Sequence, residues 1–104
     1  HGTLHYGDSW PNNKYTGTST TPSANVWEEF HTYAVEWEEG EIRWYINDKH
    51  YATQNQAGWY TAASTDDKAP FDEAFHLIMN VAVGGNWPGG PNNATTFPQE
   101  MQVE

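Results

Sequence analysis

Between Phe75 and Gly84 the chain alternates with a period of two, a pattern that suits a strand and no helix. Leu77, Met79, Val81 and Val83 fall on one face, and His76, Ile78, Asn80 and Ala82 on the other. The first set is wholly apolar and reads as core. The second places one amide in a partly apolar row. The run then meets a glycine corner at Gly84-Gly85 and lifts Trp87 into a Gly/Pro/Asn loop that lasts to about Phe97. An amide is both donor and acceptor, and an indole has a flat face, so the pair suits a neutral, hydroxyl-rich ligand.

The rest of the chain repeats this grammar. Residues 1–6 read as a strand, followed by a polar loop from Gly7 to Asn25 that contains Trp10. Residues 29–37 and 42–47 form a hairpin around Glu38-Glu39-Gly40-Glu41, with Gly40 supplying a positive φ. Ile42, Trp44 and Ile46 share one side of its second strand. Asn47-Asp48-Lys49 turns again into a short strand, His50 to Gln54, and residues 55–74 make a long irregular connection. A terminal strand begins near Met101. No segment keeps a helical period, and short strands separated by turn signals indicate an all-β sandwich or barrel.

Composition narrows the partners. A formal net charge of −10 argues against nucleic acid and anionic membrane surfaces, both of which need a basic face. No apolar run approaches the length of a membrane-spanning helix. Six Trp, six Tyr and four Phe in an acidic chain fit an uncharged ligand better. There is no cysteine, so disulfides and thiolate metal sites are excluded. The histidines at 1, 5, 31, 50 and 76 lack zinc-site spacing. Asn93-Ala94-Thr95 is a formal glycosylation sequon, a common triplet. His1-Gly2-Thr3-Leu4 already alternates like a strand interior, and Met101-Gln102-Val103-Glu104 begins a run that stops abruptly. The expectation is a segment of something larger; the alternative is a processed small protein.

Three segments, HGTLHYGDSWPNN, FHTYAVEWEEGEIRWYINDK and the run from Phe75 through Trp87 to Gly89, resemble glycoside hydrolase family 16, on the side of its laminarinase-like endo-β-1,3-glucanases. The resemblance runs end to end. It implies a concanavalin-like β-jelly-roll sandwich with a concave glucan-binding cleft, of which residues 1–104 are the C-terminal part, about half. The family's Glu-x-Asp-x-x-Glu motif is absent from this chain, and in relatives it precedes the position of His1 by some ten residues. No catalytic residue is therefore assigned here. Retaining glycosidases need two carboxyl groups roughly 5–5.5 Å apart, and a cleft without them should bind glucan and hardly cleave it. Glu36-Trp37-Glu38-Glu39-Gly40-Glu41 comes close to the motif's spacing, but its last acids sit in a hairpin turn, where solvated carboxylates are ordinary.

The resemblance also assigns binding residues. His1, Thr3 and His5 share one face of the first strand, the face that looks into the cleft in relatives, while Gly2 and Leu4 face the core. Cleft-facing histidines can bond sugar hydroxyls or a catalytic carboxylate; the alternative is plain surface polarity. Asn80 matches a position that contacts sugar near the cleavage point. Asparagine has low strand propensity, so something should compensate for it; the alternative is an amide satisfying a neighbouring backbone. Trp10 and Trp87 are stacking platforms for pyranose faces or, alternatively, loop anchors. Trp37 and Trp44 read as core or sheet surface; Trp27 and Trp59 stay open.

Many members of that family carry a structural calcium on the convex side, and Glu104 stands at the position of one ligand, an Asp in relatives. Six or more oxygens are needed, so calcium belongs to the intact domain and none is expected on this segment; no other cofactor is implied. The expected partners are a β-glucan polysaccharide or oligosaccharide and the N-terminal half of the same domain, and the expected location is extracellular, by secretion. Ala82 favours β-1,3 over mixed-linkage specificity, since mixed-linkage relatives usually carry Trp there. A reading from another class is a non-catalytic β-glucan-binding module or an inactive fragment.

Overall fold

The structure is a computed structural model that describes residues 1–22 and 25–104. Positions 23 and 24 of the expected Gly7–Asn25 loop lie outside the described residues. By contact the chain divides into two units, residues 1–74 and 75–104.

The first unit is all-β and antiparallel. Strand β1 (Gly2–Tyr6) pairs with β2 (Lys14–Thr18), with Gly2 opposite Thr18 and Tyr6 opposite Lys14. A second sheet has the order β3 (Tyr33–Glu38), β4 (Glu41–Ile46), β5 (Lys49–Asn55). Two tight turns make its meander. Gly40 closes the first at φ +78°, and Asn47 and Asp48 close the second in the left-handed region, at φ 48° and 60°. These are residue types that tolerate that conformation. Asn47 also stitches the turn to the entry of β3: Thr32 N–H donates to its Oδ1 at 3.0 Å, and its Nδ2 donates to His31 Nδ1 at 2.8 Å.

Alternation in β4 sets the core. Ile42, Trp44 and Ile46 are buried, and Glu41, Arg43 and Tyr45 point to the other side. Leu4, Ile42, Trp44, Ala52 and Trp59 form one cluster, with Tyr6, Tyr51 and Phe71 packed against it. Each large apolar side chain buried in this way contributes about 1.5–3 kcal/mol. Gln54 Nε2 donates to Thr16 O at 2.8 Å, tying β5 to β2. The irregular connection is held by Trp59, whose ring meets Phe71 edge-on at 5.1 Å and whose Nε1 donates to Lys68 O at 3.3 Å. On β3, Tyr33, Val35 and Trp37 share the face of Ile42 and Trp44 by register but remain exposed.

Four expectations need correction. The Gly7–Asn25 stretch is not all loop, since β2 lies within it; all five of its residues are exposed, on both faces, and so it carries none of the hydrophobic alternation that marks a strand. Residues 75–84 form no strand, and neither do 101–104. Leu77, Met79, Val81 and Val83 are exposed, Leu77 by 84% of its surface, so the expected core row is not core. A strand needs a neighbour for its N–H and C=O groups, and among the described residues no ladder forms along this run. Asn80 is accordingly not in mid-strand. The second unit is irregular, with one bridge between Gly85 and Gly89 (N–H to O, 3.1 Å).

Candidate functional site

The β1–β2 hairpin positions most of the candidates. Burial of Gly2 and Leu4 turns His1, Thr3 and His5 outward. Across the ladder, Thr3 faces Gly17 and His5 faces Tyr15, with the His5 and Tyr15 rings 6.0 Å apart and tilted by 36°. Trp10, in the connecting loop, is 85% exposed. The hairpin's Tyr6, on the inward side, is fixed by a 2.8 Å hydroxyl contact with Thr16 and an edge-on contact with Tyr60.

At the end of β1 the chain builds a hollow of about 340 Å³, whose lining includes His5, Asp8, Ser9, Asn13 and Thr61. Its wall exists because Gly7, buried and at φ +93°, locks onto the connection: its N–H donates to Tyr60 O at 2.9 Å, and its carbonyl accepts from Ala62 N at 2.8 Å. A glycine is required by that positive φ. Asp8 Oδ1 accepts from Ser9 N at 2.7 Å, a local turn that holds the carboxylate at the rim. The hollow offers donors and acceptors for hydroxyl groups, and His5 belongs to both it and the Tyr15 face. Sequence reasoning did not single out Tyr15, Asp8, Asn13 or Thr61. Pairing with His5 was the available signal for Tyr15, but it needed β2, which alternation did not reveal.

Asn80 and Trp87 belong to the second unit. Asn80 is exposed, and Trp87 stands at the tip of the Gly85–Gly89 turn with 98% of its surface open. Among the tryptophans left open, Trp59 is core and Trp27 is exposed.

The acids of the near-motif have a structural occupation. On the outer face of the meander, Arg43 Nε bonds Glu36 at 3.0 Å, its Nη2 pairs with Glu38 at 3.0 Å, and its Nη1 contacts Glu41. Tyr45 donates to the same Glu36 oxygen at 2.6 Å. The Tyr45 hydroxyl, and after it Arg43, hold the Glu36 carboxyl below its usual range, while Glu36 in turn pushes the Tyr45 phenol up. A carboxylate held low and bound to a guanidinium, as Glu36 is, cannot serve as a general acid near neutral pH. Among the described residues no cluster of three or more His, Asp or Glu side chains could hold a metal ion, and Glu104 has no such company. No helix among them is long and apolar enough to cross a membrane.

Comparison with known proteins completes the picture. The chain is 44% identical to glucan endo-1,3-beta-glucosidase A1 of Niallia circulans, over 99% of its own length and 16% of that protein. It is 39% identical to a beta-glucanase of Rhodothermus marinus, over 85% of the chain and 30% of the relative. A beta-1,3-glucan-binding protein of Penaeus monodon is 34% identical over 92% of the chain and 30% of its own length. The chain thus spans less than a third of each of these relatives. No solved structure matches it. Its all-β, antiparallel architecture agrees with part of a jelly-roll domain, and residues 3–104 match the model of glycosyl hydrolases family 16: the chain belongs to that family.

Proposed function

We propose that the protein containing these residues hydrolyses internal β-1,3-glucosidic bonds of laminarin-like glucans, and that this segment supplies part of the sugar-binding cleft. The observation that carries the reading is the 44% identity, over 99% of the chain, to a protein named as a glucan endo-1,3-beta-glucosidase. In a retaining double displacement one carboxylate attacks the anomeric carbon while a carboxylic acid protonates the leaving oxygen. Those two groups lie outside residues 1–104, in the N-terminal half of the same domain. The task of this chain is to hold the sugar: His1, Thr3, His5 and Asn80 through hydroxyl contacts, Trp10 and Trp87 by stacking. Exposed indoles and uncharged polar groups in a chain of net charge −10 suit a neutral polysaccharide. The extracellular location, by secretion, is part of this proposal and is supported by the polymeric nature of the proposed substrate.

The test is reducing-sugar release from laminarin by the intact protein, with the anomeric form of the first product read by NMR. Retained β-configuration with internal cleavage is expected; release from chain ends alone, or inversion, would overturn the mechanism. A second reading, a non-catalytic β-glucan-binding module, is favoured by the 34% identity to a protein named for glucan binding. It predicts laminarin affinity without any hydrolysis.

A further inference from the structure

Tyr15 has no role in the reading above, yet its position is unusual for a surface tyrosine. It is 72% exposed, on the outward face of a two-stranded sheet, directly opposite His5. Isolated exposed aromatics are ordinary. Here the ring stands beside an imidazole that also lines a polar hollow. We propose that Tyr15 is a stacking residue for a neutral pyranose, and that Tyr15, His5 and the hollow form one continuous subsite. The proposal deepens the glucan reading and rests on it.

A pyranose in the β-gluco form has an apolar face of axial C–H groups and a rim of equatorial hydroxyls. The Tyr15 ring offers a flat surface for the first. His5 and the Ser9, Asn13 and Thr61 side chains beyond it offer donors and acceptors for the second. Two features select for an uncharged sugar. The residues paired around Tyr15 on the outward face, Thr3, His5 and Gly17, carry no carboxylate, ammonium or guanidinium. The Asp8 carboxylate at the hollow's rim repels a sulfated or uronic sugar. Gly17 keeps the lane low beside Tyr15: a Cβ there would sit 2.6 Å from Thr3 Oγ1.

The experiment is titration of the intact protein, and of its Tyr15→Ala and Tyr15→Phe variants, with laminarin oligosaccharides by calorimetry. Tyr15→Ala should weaken binding roughly two- to tenfold, the worth of one aromatic stacking contact, while Tyr15→Phe stays within about twofold. Shifts of the Tyr15 and His5 ring resonances on adding the oligosaccharide to unsubstituted protein provide a readout that needs no variant to fold. If the unsubstituted protein binds glucan while Tyr15→Ala binds equally well, or those resonances stay still, the subsite is overturned and the glucan reading survives. If the unsubstituted protein binds no glucan, both fall.

Discussion

Gly2 lies against the indole of Trp44 so closely that a Cβ on it would sit 2.7 Å from the ring's Cγ. The contact joins β1 to the centre of β4, and both residues are buried. Gly2 is thus what allows the β1–β2 sheet, with its outward candidates His1, Thr3 and His5, to lie flat on the core. Gly2→Ala must displace a packed ring rather than a flexible chain end. We expect a loss of about 1–3 kcal/mol in denaturant unfolding, and unchanged stability would show that the sheet can shift without cost.

Trp59 and Trp87 make opposite predictions. Trp59 is buried against Phe71 and anchors the connection after β5, so Trp59→Ala should cost about 3–5 kcal/mol. Trp87→Ala and Trp10→Ala remove exposed rings and should stay within roughly 0.5 kcal/mol of the parent. Both should instead lower affinity for laminarin, measured by affinity electrophoresis alongside thermal unfolding.

At Asn47 backbone and side chain can be separated. Asn47→Gly keeps the left-handed turn and loses only the bonds to Thr32 N and His31 Nδ1. Asn47→Ala loses both and strains the turn, so it should be the less stable of the two by about 1 kcal/mol. Equal melting temperatures would mean that the turn conformation carries no strain.

The glutamates around Arg43 predict a pH response. The Glu36 carboxyl titrates below its usual value, first through the Tyr45 hydroxyl and then through Arg43. Its folded value is depressed, so its contribution is present above the unfolded carboxylate range and is lost as pH falls through the folded value. Tyr45→Phe and Arg43→Met should each raise the Glu36 value, read by carboxyl carbon NMR, and a value that stays put in either variant would remove that partner as a cause. The group is solvent-exposed, so the effect on overall stability should be small.

What could be read in the sequence followed burial. Ile42, Trp44 and Ile46 alternate with polar residues in β4, and the structure buries those three. Gly40 and Asn47-Asp48 marked both turns of the meander through the chemistry of positive φ. β2 escaped notice because all five of its residues are exposed, and a strand without a buried face leaves no periodic trace. Trp59 could not be assigned because an indole in an irregular segment has no alternation to orient it.

The sequence by itself determined the all-β character, the meander and the inward side of β1, because side-chain period and local turn chemistry are properties of neighbouring residues; the family followed from the resemblance of whole segments to known members. Tertiary structure decided the rest. It bound the near-motif glutamates to Arg43, set Tyr15 opposite His5, and built the hollow by locking Gly7 onto residues 60–62. It also left 75–84 without a ladder despite its alternating pattern. Period two states that a segment can have two faces; whether it becomes a strand depends on a partner for its backbone hydrogen bonds, and that is a relation between distant parts of a chain.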